Sequence, residues 1–222
     1  MNAIEIKNLE FSYTSSIKPV IKIDELVVLE SEKIFLFGPS GYGKSTLLNL
    51  LAGVLDCKKG TLNVLGQNLA TLSQGKKDLL RGAEIGYIFQ IFNLIPYLNI
   101  KENIVLPCMI NKKRSHGIDF HKQADELIET LGLTEHIHKP VTELSIGQQQ
   151  RVAAARALIG NPRLVIADEP TSSLDEKNTS EFMNLLISEW ETRKFTLVFV
   201  SHDERLKKYF EKTISLPSIN QV

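Results

Sequence analysis

A short apolar run ending in glycine, Lys33-Ile-Phe-Leu-Phe-Gly38, leads directly into Pro-Ser-Gly-Tyr-Gly43-Lys44-Ser45-Thr46. Apolar residues at helical spacing follow: Leu47, Leu48, Leu51 and Leu55. An apolar run of this kind predicts a strand buried on both faces, as in a parallel sheet covered by helices. The later spacing predicts a helix over residues 45–55. Between them stands G-x-x-x-x-G-K-[ST], in the strand-then-helix context the motif requires. Glycines let the backbone close round oxygen atoms with several N–H groups pointing inward. The helix start adds unpaired N–H groups and the positive end of its dipole. Gly38, Pro39, Ser40, Gly41, Tyr42, Gly43, Lys44, Ser45 and Thr46 are therefore the expected cradle for a nucleoside triphosphate. In it Lys44 reaches the β- and γ-phosphates and the Ser45 hydroxyl ligates Mg²⁺.

The surrounding chain fits an α/β domain of its 222 residues. Ile4 and Ile6, then Leu9, Phe11 and Tyr13, then residues 23–29 alternate as strands do, with polar breaks over 14–16 and at Lys18-Pro19. Ala124, Leu127, Ile128 and Leu131 share a helix face before Gly132, and residues 145–159 read as a helix stopped by Gly160-Asn161-Pro162. Strand patterns return at residues 164–167 and 196–200, around a helix with Met183, Leu186, Ile187 and Trp190 on one face. The expectation is a single domain over 1–222. Its core lies in 1–90 and 161–222, with an N-terminal antiparallel β part and a mostly parallel sheet, and a helical subdomain spans 91–160.

Leu164-Val-Ile-Ala-Asp168-Glu169 is a buried strand ending in two carboxylates. Alone it reads as an acidic turn. Beside a phosphate loop, Asp168 becomes the candidate metal holder and Glu169 the candidate base for the attacking water. Ligand crevices of open α/β sheets lie at such carboxyl ends.

Bulk properties exclude more than they suggest. Lys+Arg and Asp+Glu are equal at 26 each, which gives no argument for nucleic acid, and none is expected. Cys57 and Cys108 form no C-x-x-C pair and read as reduced thiols. The start, MNAIEIKNLEF, lacks the pattern of a secretory signal. No apolar run approaches the roughly 18 residues of a membrane helix, so any spanning would fall to another chain.

One further segment, Leu144-Ser-Ile-Gly-Gln-Gln-Gln-Arg151, carries a resemblance: between the phosphate loop and Asp168-Glu169 it is similar to the signature motif of ABC ATPases. The remaining landmarks fall in family order. Tyr13 matches the aromatic that stacks on adenine, and Gln90 the glutamine near metal and attacking water. Ser173-Leu174-Asp175 matches the D-loop, and His202 the switch histidine beside the γ-phosphate. Singly, Tyr13 reads as a packing aromatic, Gln90 as a surface residue and His202 as a strand-end histidine. Their joint order, over about residues 3–216, makes the resemblance specific. His136 and His138 have no partners at metal-ligand spacing and read as surface residues.

The resemblance implies an ATPase using ATP and Mg²⁺, with Ser45, Gln90 and Asp168 at the metal and Glu169, His202, Gln90 and Lys44 in catalysis. Ser145, Gly147 and Gln148 would bind ATP held by a second copy in a head-to-tail pair. It also implies an integral membrane permease as partner and a peripheral place on the cytoplasmic face of the membrane. The stretches 85–96 and 100–107 look like the lipoprotein-release and macrolide-export group. Ile91, Phe92, Leu94, Ile95 and Leu98 there are candidates for a groove receiving the permease, or for subdomain core. A cell-division-type ATPase and a weakly hydrolysing regulatory ATPase stay open as alternatives. Two departures bear on turnover: Ile146 stands where the family usually has Gly, and Tyr42 where it usually has a small residue.

Overall fold

Period-two burial builds the first strands. Ile4, Ile6 and Leu9 are buried in β1 (Asn2–Phe11), which pairs antiparallel with β2 (Ile21–Leu29) so that Ile6 opposes Leu26 and Leu9 opposes Ile23. There follow β3 (Lys33–Phe37), α1 (Lys44–Leu51), β4 (Lys59–Val64), β5 (Gln67–Asn68), α2 (Gln74–Glu84) and β6 (Ile85–Ile88). After these come α3 (Ile100–Ile110), α4 (Phe120–Thr130), α5 (Ile146–Leu158) and β7 (Leu164–Asp168). The chain then forms α6 (Glu176–Arg193), β8 (Thr196–Val200), β9 (Lys212–Ser215) and α7 (Leu216–Ile219). The structure, a computed structural model, describes residues 1–14, 18–137 and 139–222. The turn expected over 14–16 therefore lies partly outside the described residues, and so does His138.

The chain divides into two compact units, Met1–Arg81 with Thr196–Val222, and Gly82–Phe195. In the first, β1 also pairs with β4, through a register shift between Lys7 and Glu10. Gly60 sits opposite that bulge at φ 87°, and a Cβ there would lie 2.2 Å from the Asn8 carbonyl oxygen, so only glycine fits. A second sheet is parallel: β3 pairs with β8 on one side and β9 on the other. Ile34, Phe35 and Leu36 are buried, and the rings of Phe35, Phe199 and Phe210 pack with centroids 5.4 to 6.1 Å apart. Helix α1 is shorter than the leucine spacing suggested. Gly53, at φ 66°, donates to the Leu50 carbonyl, and Val54 donates to that of Asn49. This Schellman-type ending releases Leu55 from the helix.

In the second unit β6 and β7 are parallel, with Ile88 opposite Ala167. Helices α3, α4 and α5 fall within the stretch expected to be helical, and this unit also holds β6, β7 and α6. Helix α4 is capped by Asp119, buries Ala124, Leu127 and Ile128, and ends before Gly132 as its pattern indicated. In α6, Met183 and Leu186 are buried, while Ile187 and Trp190 are half-buried.

Arg114 fastens the segment between α3 and α4. It is 4% exposed and donates to the carbonyls of Ile85 (2.7 Å), Ala157 (2.6 Å) and Ile159 (2.8 Å). Burial pushes its pKa down to about 10. Asn103, fully buried, donates to the carbonyls of Ile95, Leu98 and Asn99 and accepts from the Ile95 N–H, which shapes the 95–99 loop. His136 is half-buried rather than a surface residue, and among the described residues its Nδ1 atom has no hydrogen-bond partner. Cys57 and Cys108 are free and buried. Among the described residues no helix is long and apolar enough to cross a membrane.

Candidate functional site

Strand β3 is apolar through Phe37 and then opens at Gly38 into the loop that ends where α1 begins. Gly41 and Gly43 have φ of 88° and 86°. At Gly43 a Cβ would approach Ile21 Cδ1 to 2.8 Å and the Val20 carbonyl oxygen to 3.0 Å, so the loop needs glycine for both conformation and space. The first turn of α1 has no side-chain cap and no acidic residue. Its N–H groups and dipole are left to an anion. Lys44 arches back over the loop, its Nζ donating to the Gly38 carbonyl at 2.7 Å. The ammonium is thus held against the loop's own backbone.

Tyr13, two residues past β1, joins this construction. Its hydroxyl is 3.0 Å from Thr46 Oγ1, so the aromatic is hydrogen-bonded to the first turn of α1. The ring meets Phe11 edge-on at 5.0 Å and remains 41% exposed. It borders a cleft of about 380 Å³ that Phe11, Thr14, Leu55 and Lys58 also line. That volume lies within the range of small-ligand pockets. His202 is exposed just beyond β8, whose register with β3 sets Val200 beside Leu36. The histidine and the start of the phosphate loop thus lie at the carboxyl ends of adjacent parallel strands. Neighbouring Asp203 is gripped by the Arg205 guanidinium, which holds its carboxyl below the usual range.

In the second unit the β6–β7 register performs the same service for another group. With Ile88 beside Ala167, Gln90 and the Asp168-Glu169 pair share one carboxyl edge. Glu169 is buried, with φ of 47°, an uncommon conformation for a residue bearing a Cβ. Tyr87 hydrogen-bonds Asp168, and burial, reinforced by that carboxylate, raises the phenol's pKa. Gln150, fully buried in α5, donates to the carbonyl of Pro170, the residue after Glu169.

The N-terminus of α5 carries its own side-chain cap. Ser145 Oγ accepts from the Gln148 N–H at 3.3 Å, and Gln148 Oε1 accepts from the Ser145 N–H at 3.0 Å. This capping box already occupies two of the groups expected to meet a phosphate. Gly147 lies against Asn178 of α6, whose N–H and side chain bind Asp175, the cap of that helix. Signature and D-loop are thus packed together. Ile146 is 52% exposed at this end, and the Tyr42 side chain is also exposed. Ile91 is exposed, whereas Phe92, Leu94, Ile95 and Leu98 are half-buried.

Sequence reasoning misses Tyr87, Gln150 and Asn220. Tyr87 left a faint signal, a hydroxyl within an otherwise apolar strand. Gln150 and Asn220 left none.

The ABC transporter family matches residues 22–172. The lipoprotein-releasing system ATP-binding protein LolD of Hydrogenovibrio crunogenus is 38% identical over 96% of this chain and 93% of its own. The macrolide export ATP-binding/permease protein MacB of Bdellovibrio bacteriovorus is 38% identical over 96% of this chain and 32% of its own. A solved dimer of the ATP-binding cassette MJ0796, in a post-hydrolysis state with ADP and Pi, superposes with a TM-score of 0.84 at 33% identity, covering 96% of this chain and 93% of that one. With the phosphate loop, the paired carboxylates and the signature segment in family order, the chain belongs to the ABC transporter family as an ATP-binding and ATP-hydrolysing cassette.

Proposed function

We propose that the chain drives a membrane permease of the lipoprotein-release or macrolide-export kind, working as a pair of copies on the cytoplasmic face of the membrane. The likeness to LolD and MacB over 96% of the chain carries this reading. Two copies would meet head-to-tail, each phosphate loop facing the partner's Ser145 and the partner's Gly147. Binding the phosphate would require the Ser145–Gln148 cap to loosen.

The donors assigned to the metal are all oxygen: the Ser45 hydroxyl, the Gln90 amide carbonyl and the Asp168 carboxylate. They suit Mg²⁺, which favours oxygen and keeps several waters. None of the three is fully buried, which leaves room for those waters. Bound there, Mg²⁺ supplies charge neutralisation on the phosphate oxygens. Lys44 and the loop N–H groups stabilise the same oxygens, and Tyr13 stacks on the base. Tyr87 orients the Asp168 carboxylate. Glu169 takes the proton of the attacking water, while Gln90 and His202 align that water and the γ-phosphate.

A second reading, a weakly hydrolysing regulatory ATPase, draws on the exposed Ile146 at the signature and the exposed Tyr42 in the loop. Reconstitution in vesicles with the permease encoded by a neighbouring reading frame tests both. The first reading predicts a stable complex whose ATPase rate rises several-fold over the chain alone. A complex without stimulation favours the regulatory reading, and failure to bind any such permease contradicts the proposal.

A further inference from the structure

The last residues of the chain reach the phosphate loop. Strand β9 runs parallel to β3 with Ser215 beside Phe37, so the chain leaving β9 arrives where β3 opens into the loop. There α7 turns, and Pro217 fills the space against Gly38: a Cβ on that glycine would lie 3.0 Å from Pro217 Cδ. Asn220 follows, only 5% exposed. Its Oδ1 accepts from the Lys22 N–H at 2.7 Å. Its Nδ2 donates to the Val20 carbonyl at 3.0 Å and to the Tyr42 carbonyl at 3.2 Å. Both amide hydrogens and the carbonyl are used, and every partner is backbone.

We propose that Asn220 is a positioning residue for ATP binding, setting the orientation of the Tyr42–Gly43 peptide in the phosphate loop. A trans peptide points its C=O and its N–H in opposite directions. Anchoring the Tyr42 carbonyl on Asn220 therefore turns the Gly43 N–H to the other side, and loop N–H groups are what receive phosphate oxygens. The same carboxamide holds Val20, whose carbonyl limits how closely Gly43 can approach. Val20 in turn donates from its N–H to the Phe11 carbonyl, two residues before Tyr13. Asn220 thus joins the phosphate-binding and base-stacking parts of the site through backbone alone. The inference rests on the assignment of residues 38–46 as the ATP cradle.

The test compares ATP KM, kcat and Kd for Asn220→Ala, Asn220→Asp and Gln221→Ala at a temperature well below each variant's Tm. Gln221 ties the same tail through its side chain to Asp24 of β2, at 2.6 Å. Asn220→Ala is expected to raise KM and Kd about fivefold to tenfold, the loss of a hydrogen-bonded constraint, with kcat within about twofold. Asn220→Asp keeps the acceptor but loses both donors, so it is expected to weaken ATP at least as much; it gives the answer if the alanine variant does not fold. Gln221→Ala is expected to lower Tm slightly and leave Kd unchanged. A lowered Tm with wild-type Kd in the folded Asn220 variants overturns the inference, as does an equal rise in Kd for Gln221→Ala. If the wild-type chain bound no ATP, the assignment of the cradle itself would fail, a result distinct from an Asn220 variant that binds ATP normally.

Discussion

Replacing Tyr13 by phenylalanine and by alanine separates two contributions that the site combines. The hydroxyl makes one hydrogen bond of 3.0 Å to Thr46, at a residue 41% exposed. A typical intramolecular hydrogen bond contributes about 0.5–1.5 kcal/mol net, and partial exposure places this one at the low end. Tyr13→Phe is therefore expected to raise the ATP Kd by no more than about threefold. Tyr13→Ala also removes the ring. Base–aromatic stacking contributes about 1–3 kcal/mol by alanine substitution, so Kd rises about 5- to 150-fold. Isothermal titration calorimetry with ATP and with GTP reads both variants. Stacking uses the face of the base and not its edges, so GTP should lose about as much affinity as ATP. A Tyr13→Ala Kd within twofold of wild type would refute the stacking role and leave Tyr13 as a strut for Thr46.

Three further outcomes follow from particular contacts. Arg114→Ala would strand three buried carbonyls and cost more than about 3 kcal/mol, with Arg114→Lys intermediate because an ammonium lacks the planar fork. Urea unfolding measures this, and an alanine variant of wild-type stability would contradict the buried clamp. Gly41→Ala and Gly43→Ala share the left-handed φ, but only Gly43 has atoms within 3.0 Å of the added Cβ. Both lose about 1–2 kcal/mol to the backbone, and Gly43→Ala is expected to show the larger fall in Tm and in ATP affinity; equal losses would count against the tight packing. The Asn178 backbone N–H, aided by the Asn178 side chain, holds the Asp175 carboxyl below its ordinary value of 3.8. A depressed pKa means that this stability is present above the ordinary value and is lost as pH falls through the lowered one. Asp175→Asn, which retains a cap without the charge, should therefore differ from wild type in stability at neutral pH and converge with it in acid. A difference that stays constant throughout acid titration would contradict the account.

What the sequence disclosed was local or periodic. The phosphate loop reads off residues 38–46 because its chemistry needs glycine, lysine and a hydroxyl at fixed spacing. The alternation in β1 and the helix face of α4 read equally well, since each is set by one buried side. The end of α1 is hidden in the sequence because Leu55 continues the apolar rhythm while Gly53 breaks the backbone. Arg114 has no local sign of its role, which depends on carbonyls 29 to 45 residues away. Asn220 and the Tyr42 carbonyl are 178 residues apart. The capping box at Ser145 is written in the sequence as Ser-x-x-Gln, the same residues that the signature motif assigns to phosphate. The left-handed backbone of Glu169 had no compositional sign, since glycine is the residue that usually announces such a position.

The central claim is that this cassette hydrolyses ATP with Glu169 as the base. Single-turnover hydrolysis of bound ATP, with Glu169→Gln beside wild type, tests it most directly. The account predicts unchanged ATP binding, a hydrolysis rate lower by about 10²- to 10⁴-fold, and accumulation of an ATP-bound dimer on size-exclusion chromatography. Hydrolysis by Glu169→Gln at the wild-type rate would contradict it.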